Sequence, residues 1–348
     1  MVDELERRFD EFARAFEVGA PLYGRLAARV AREPRVLDLM SAAPETQRIP
    51  VLLFAAAHHL LLADPNHPLA DHYPNLARDV AVGDAAEQFV DFVLSRTTSI
   101  QDVLATRSTQ TNEIGRCNWF LFPFSILSDE MGTLARIDIG SSAGLTLLSP
   151  LIGYDIRPGG SIGADSSLTI NCDVRGEPPV PSRVPDVGWS LGIDASPIDV
   201  NDDEAVRWLE ACVWPEQVER FDRLRAAVRL ARQHGVVVEQ GDAVDSLANA
   251  VGRAREHGHP VVTTSWVLNY LSAERRSDFV NQIDRIGATM DLSWVIAESP
   301  KETPELPGHA GSDELVTVIS LVTWRDGRRA VRRLATAHPH GNWVNWNP

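Results

Sequence analysis

Apolar residues recur at helical spacing through roughly the first 130 residues, and no stretch there reads as a convincing strand. Leu5, Phe9 and Phe16 are separated by four and seven positions, which places them on one face of a predicted helix. The very apolar run at 51–63 is bounded by prolines and predicts a buried helix. The pattern therefore predicts an all-helical amino-terminal domain over residues 1–130.

From residue 131 onward, short apolar runs alternate with helical stretches. This alternation is typical of an α/β fold, and we expect a mostly parallel Rossmann-like sheet of seven strands with an antiparallel hairpin at its end. The predicted strands and closing hairpin are 134–139, 187–193, 236–242, 261–267, 292–298 and 315–337. A β insertion is predicted near 154–186. The second predicted domain covers 131–348, and the helical domain is expected to cover the carboxyl edge of its sheet.

A turn of small residues follows the first predicted strand, and helical spacing resumes after it. It contains Asp138, Gly140, Ser142 and Gly144, which match the pattern D-x-G-x-G-x-G except that serine stands at the middle glycine. Small residues let a backbone approach a ligand closely, and Asp138 could orient loop amides or accept from an ammonium group. The alternative interpretation is a strand–turn–helix unit that binds no ligand.

This turn resembles motif I of the class I S-adenosylmethionine-dependent methyltransferases. The resemblance implies that Asp194, at the end of the second strand, accepts hydrogen bonds from the two ribose hydroxyls of the cofactor. Asp173 in the insertion is a rival, because Asp194 follows the turn at an unusually long distance. Asp242, after the third strand, would meet the adenine amino group, or it caps a turn or helix.

A polar segment, 106–116, precedes an apolar helix. Arg107 or Arg116 could hold a carboxylate in a bidentate pair, and Asn112 and Glu113 could orient an ammonium group or the substrate. The alternative is a capped helix start whose other polar groups are solvated.

The fourth predicted strand ends near the position of the transferred methyl group in the resembled fold. Trp266 and Asn269 are therefore candidates for binding the methyl acceptor, although Trp266 could simply pack. A neutral acceptor also needs a group that takes its proton, and the candidates are Glu113, Tyr270 and His340, with Glu113 first.

Composition limits the partners. The formal net charge of −15 repels a polyanion, so we expect no nucleic-acid substrate. No apolar run reaches the length that crosses a bilayer, and three scattered cysteines suggest a reducing, cytoplasmic setting. His338 and His340 have no third ligand nearby in the sequence, and we expect no metal.

Several stretches together resemble a bacterial family catalogued only as a domain of unknown function, with a methyltransferase-like core. They are TRSTQTNEIGRC, IDIGSSAGL, GIDASPIDV, ACVWPEQ, SWVLNYL and HPHG. The resemblance implies an enzyme that uses S-adenosylmethionine to methylate a small molecule. The alternatives are a non-catalytic or regulatory protein that keeps the fold, or another reaction on an adenosyl or nucleotide ligand.

Overall fold

The computed structural model describes residues 2–163, 165–309 and 315–348. The chain forms two compact units. We call residues 1–112 and 201–225 the helical unit, and 113–200 and 226–348 the sheet unit. The second segment of the helical unit therefore comes from the middle of the chain.

The helical unit contains helices wherever the periodicity predicts them. Its helices are α1 (Val2–Ala15), α2 (Pro21–Val30), α3 (Pro34–Leu39), α4 (Pro50–Ala63), α5 (Ala85–Ser95), α6 (Thr97–Thr106) and α8 (Asp203–Ala211). Three of them begin with proline, whose fixed φ suits the first helical position. Trp208 of α8 is buried in the same apolar core as α4, which explains why this later segment belongs to the unit.

The sheet unit contains an eleven-stranded sheet within the described residues. Its strands are β1 (Leu134–Ile139), β2 (Gly153–Arg157), β3 (Gly160–Ile162), β4 (Thr169–Arg175), β5 (Val187–Asp194), β6 (Val238–Gln240), β7 (His259–Ser265), β8 (Leu292–Glu298), β9 (Thr317–Arg325), β10 (Arg328–Ala337) and β11 (Trp343–Trp346). Their order is β3-β2-β4-β11-β10-β9-β8-β7-β1-β5-β6.

The fold is mixed α/β, and six of the ten neighbouring strand pairs are parallel. The predicted count of seven strands is too low. The insertion supplies β2, β3 and β4, and the chain end supplies β11, which joins β10 to β4. The pairing of β11 with β4 connects segments that are far apart in sequence, so local periodicity does not reveal it.

Helices cover both faces of the sheet around β1. They are α7 (Cys117–Met131), α10 (Leu247–Ala254) and α11 (Ala273–Gly287), whereas α9 (Val218–His234) is the helix at which the chain passes from the helical unit to the sheet unit. Ile137 of β1 belongs to the apolar cluster that includes residues of α10 and α11. Arg136, one position earlier, points to the other face, where its guanidinium lies over the ring of Phe120 of α7. No helix within the described residues is both long enough and apolar enough to span a membrane.

Candidate functional site

The carboxyl ends of four parallel strands meet at one edge of the sheet. β1 pairs with β5 on one side and with β7 on the other, and β8 lies beyond β7. The chain order therefore reverses between β1 and β7, which makes a topological switch point. In open α/β sheets, ligands bind in the crevice at such a point. Several of the predicted site residues lie at this edge.

The loop after β1 is bound tightly to the neighbouring strand β5. Gly140 and Gly144 have φ values of +73° and +70°, so both positions require the freedom of glycine. The N–H groups of Gly140 and Ser141 both donate to the carbonyl of Ile193, at 2.8 and 3.3 Å. The N–H of Gly144 donates to the carbonyl of Ser141 at 2.8 Å. These amides therefore point into the protein and not towards a ligand.

The helix predicted after this loop is absent. A four-residue 3-10 turn, Leu145–Leu148, follows the loop. Pro150 comes two residues after this turn. A proline disfavours the helical conformation of the residue before it and lacks a donor itself, which explains why the apolar spacing does not continue as an α-helix.

Asp194, at the end of β5, organises the same loop. Its Oδ2 accepts from the N–H of Ser142 at 2.8 Å, and its Oδ1 accepts from the N–H of Ser196 at 2.8 Å. Ser142 has a φ of +51°. Each carboxylate oxygen has a second lone pair, so Asp194 retains the capacity to accept from a ligand hydroxyl. Asp173 lies in β4, which is separated from β1 by β11, β10, β9, β8 and β7.

Asp138 is 2% exposed and is surrounded by donors of the protein itself. Its carboxylate accepts from the guanidinium of Arg136 at 2.9 Å and from three hydroxyl groups. The hydroxyl donors are Ser141 at 3.1 Å, Thr146 at 2.7 Å and Thr263 at 2.5 Å. This carboxylate orients the loop through Ser141, and four internal donors occupy it. It is therefore a poor partner for an ammonium group of a ligand.

The recess beside Gly140 is filled by a side chain from the loop after β7. A Cβ placed on Gly140 would lie 2.2 Å from Cγ2 of Val267. The close approach that glycine permits is therefore used by Val267 in this structure.

The polar segment before α7 contributes Arg116 to this edge. The guanidinium is buried, with Nη1 donating to the carbonyl of Ser265 at 3.4 Å and Nε donating to the carbonyl of Pro339 at 3.3 Å. Glu113, 3% exposed, accepts from the N–H of Gly115 at 2.9 Å and so caps the short turn that contains Arg116. Arg116 therefore connects the end of β7 with the loop before β11.

Glu298, the last residue of β8, is not among the site residues predicted from the sequence. It is fully buried, and its Oε1 accepts from the N–H groups of Val267 and Leu268 at 3.1 and 3.3 Å. Its Oε2 is buried and has no hydrogen-bond partner among the described residues. Burial raises the pKa of Glu298 to about 7, although the two N–H groups and the charges of Arg116 and Arg276 lower it.

One sequence signal marks Glu298. It is the single charged residue of β8, whose other positions are all buried and are apolar apart from one serine. A carboxylate that ends such a strand, one strand away from the switch point, is a candidate functional group, because burial perturbs its pKa. Asn269 lies nearby in sequence, just after the Val267–Leu268 donors, and its Oδ1 is also buried without a partner in the part of the chain that the structure describes.

Other residues predicted for the site have different surroundings. Trp266, with a φ of +53°, donates through Nε1 to the hydroxyl of Thr317 at 2.8 Å. Tyr270 is 80% exposed. Asp242 accepts from the N–H groups that follow it and pairs with Arg275. Burial raises the pKa of Asp242, but these N–H groups and Arg275 outweigh it, so the pKa lies below its usual range.

The remaining candidates lie in the helical unit or at the end of the chain. Arg107 lies 3.6 Å from Glu204 within the helical unit. Asn112 is the last residue of the first segment of that unit. The N–H of His340 donates to Nδ1 of His338 at 3.1 Å. No group of three or more potential ligands within the described ranges is arranged to hold a metal ion.

The comparisons with known proteins identify the family. The family described as "Uncharacterized protein conserved in bacteria (DUF2332)" matches residues 6–346. This chain belongs to that family. No curated protein and no solved structure matches the chain. The DUF2332 assignment confirms the resemblance to an uncharacterised bacterial family.

Proposed function

We propose that this DUF2332 protein is an S-adenosylmethionine-dependent methyltransferase that acts on a small molecule. The strand order carries the proposal. The run β6-β5-β1-β7-β8 is parallel, and the antiparallel strand β9 lies directly beside β8. Class I methyltransferases, which the sequence resembles, also end a parallel run of five strands with an antiparallel element. A dinucleotide-binding fold of two similar halves would continue with parallel strands.

Asp194 supports the proposal independently. It stands at the carboxyl end of β5, next to β1, where the resembled fold has the carboxylate that accepts from the ribose hydroxyls. Its side chain reaches the loop after β1 through Ser142, so it lies beside the switch point. A carboxylate satisfies two neighbouring hydroxyl donors well, because it offers two oxygens in one plane.

The part of the proposed site that would hold the ribose suits its ligand better than the part that would hold the methionine moiety. Asp194 suits a ribose, whereas Val267 occupies the recess at Gly140. The cofactor would supply the reactive methyl group. The chain would orient the acceptor, exclude water and hold its proton, with Glu113, Tyr270 and His340 as the candidates from sequence. Of these three, Glu113 is buried and Tyr270 is exposed. Glu298 joins them because its Oε2 is a buried acceptor.

Isothermal titration calorimetry with S-adenosylmethionine, S-adenosylhomocysteine and adenosine tests this proposal. We expect both adenosyl amino acids to bind, and Asp194→Ala to weaken them by about 10- to 100-fold, since charged hydrogen bonds are lost. Asp173→Ala is the matched control, because it removes an exposed carboxylate from β4. Absence of binding by the wild-type protein, or equal affinities in Asp194→Ala and the wild type, would contradict the proposal.

A second candidate is a site for a nucleoside-type ligand without an amino-acid moiety. The position of Val267 against Gly140 favours it, because that recess is filled while Asp194 retains acceptor capacity. In the same calorimetric series, adenosine that binds as tightly as S-adenosylmethionine would support this candidate over methyl transfer.

A further inference from the structure

Three residues form a continuous connection from the loop after β1 to the end of β8. The side chain of Val267 contacts Gly140, and the backbone N–H of Val267 donates to Oε1 of Glu298 at 3.1 Å. Val267 is only partly buried, so part of it is accessible to solvent. A shift of the Val267 side chain would uncover the backbone at Gly140.

The segment that carries Val267 is held from two directions. Glu298 accepts the N–H groups of Val267 and Leu268, which begin the short turn Leu268–Tyr270. Arg276 of α11 donates to the carbonyls of Leu268 and Leu271 at 3.4 and 2.7 Å. The hydrogen bonds to Glu298 depend on a buried carboxyl group, and those from Arg276 depend on a permanently charged guanidinium. Only the hydrogen bonds to Glu298 therefore respond to a proton in the neutral range.

We propose that Val267 is a gate residue over the recess at Gly140, and that Glu298 keeps this gate closed by holding the N–H groups of Val267 and Leu268. This gate regulates the site proposed above, and only the identity of its ligand rests on that proposed function. Glu298 acts through Val267, so it is a positioning residue in this role.

The gate responds to pH through Glu298. A carboxylate accepts the two N–H groups more strongly than a neutral carboxyl does. Burial raises the pKa of Glu298 to about 7, and the charged groups that face it are Arg116, before α7, and Arg276, on α11. Both cations favour the carboxylate. The gate is therefore held above pH 7 and loosens as the pH falls below it.

Hydrogen exchange of the amides of Val267 and Leu268, corrected for intrinsic rates, tests the gate without a ligand. In the wild type we expect protection to fall about tenfold between pH 8 and pH 6, as charged hydrogen bonds become neutral ones. Glu298→Gln should show the lower protection at both pH values. Glu302→Gln removes an exposed carboxylate four residues later and should behave as the wild type. Equal protection in Glu298→Gln and the wild type at both pH values would overturn the proposal.

A binding experiment addresses the recess itself. Val267→Ala should lower the Kd of S-adenosylmethionine about tenfold and leave that of adenosine unchanged, because only the amino-acid moiety needs the recess. An unchanged or weaker affinity for S-adenosylmethionine would contradict the gate. If no adenosyl ligand binds any variant, the proposed function fails, while the exchange measurement still decides whether Glu298 holds Val267.

Discussion

At the scale of single residues, Arg136 is the least expected feature of the sheet unit. It lies in the middle of a buried strand with no exposed surface. Its guanidinium donates to Thr263 at 3.1 Å, to the carbonyl of Thr146 at 2.6 Å, to Ser149 at 3.2 Å and to Asp138 at 2.9 Å. A buried ion pair is tolerated when its hydrogen bonds are satisfied in this way. The pair fixes the loop after β1 more than it stabilises the fold.

Replacing Arg136 with methionine should destabilise the sheet unit strongly. The change leaves Asp138 as a buried charge without its cation, which costs about 3–5 kcal/mol in comparable cases. The free energy of unfolding from urea denaturation measures this. Arg332→Met is the control, since Arg332 is half exposed and lies 3.8 Å from Glu130, and should change stability by less than about 0.5 kcal/mol.

A second variant separates charge from packing. The double variant Arg136→Met with Asp138→Asn removes both charges and should recover part of the lost stability, because no uncompensated ion remains buried. If Arg136→Met alone loses less than about 1 kcal/mol, the ion pair does not hold the loop as described.

At the scale of elements, the contact between β5 and the loop after β1 depends on one small residue. Gly192 of β5 pairs with Asp138 of β1. A Cβ on Gly192 would lie 2.6 Å from Oγ of Ser141 and 3.0 Å from Cγ2 of Val238. At these distances the added Cβ would clash with Ser141 and crowd Val238. A larger residue at position 192 would therefore push β5 away from the loop. Glycine is needed here for close approach and not for a positive φ.

Gly192→Ala should therefore destabilise the protein by about 1–3 kcal/mol, the usual effect of overpacking. Gly252→Ala offers a matched control within the same unit. Gly252 lies inside α10 with no heavy atom within 4 Å of the added Cβ, and alanine there should stabilise by up to about 1 kcal/mol. Differential scanning calorimetry of the two variants should show opposite shifts in Tm. Shifts of the same sign would mean that the described contact at Gly192 is wrong.

At the scale of the whole molecule, buried histidines make the stability of the fold sensitive to acid. Burial is the main cause that lowers the pKa of His58 to about 4, and likewise that of His259. His58 is enclosed in the helical unit, where Nδ1 lies 3.1 Å from the carbonyl of Ala211 and Nε2 lies 3.1 Å from Nδ2 of Asn75. The neutral ring fits these partners if Nδ1 carries the proton and donates to the carbonyl.

The sign of the pH effect follows from these shifts. The folded pKa of His58 lies below the unfolded value of about 6.5, so its contribution is present above pH 6.5 and is lost as the pH falls towards 4. Glu298 has a raised pKa, so it acts in the opposite direction, and its stabilising contribution is lost as the pH rises through about 7.

His58→Gln should reduce this acid sensitivity. The wild type should lose about 3 kcal/mol through His58 alone between pH 6.5 and pH 4, and the variant should lack that part of the slope. Thermal unfolding followed across this pH range provides the measurement. His234→Gln, at the exposed end of α9, should keep the wild-type slope. If the stability of His58→Gln depends on pH as steeply as that of the wild type, His58 is excluded as the cause.

The sequence by itself determined the helices before residue 107, four strands of the sheet and the position of the turn after β1. Helical periodicity predicts the helices before residue 107, and buried apolar runs predict β1, β5, β7 and β8, because burial on one face or two leaves a local pattern. The glycines at 140 and 144 likewise indicate a tight turn in the sequence, and both have the positive φ that such a turn requires. The same local pattern predicts that Asp194 ends β5, as it does in the structure.

Only the tertiary structure decided which groups meet. It places Val267 against Gly140, surrounds Asp138 with internal donors, buries Glu298 behind the loop after β7, and adds four strands to the sheet. The physical reason is that a polar group or a strand edge is satisfied by partners far away in the chain, and periodicity carries no information about such partners. The helices before residue 107 and the strands β1, β5, β7 and β8 therefore followed from the sequence, whereas the surroundings of each candidate site residue did not.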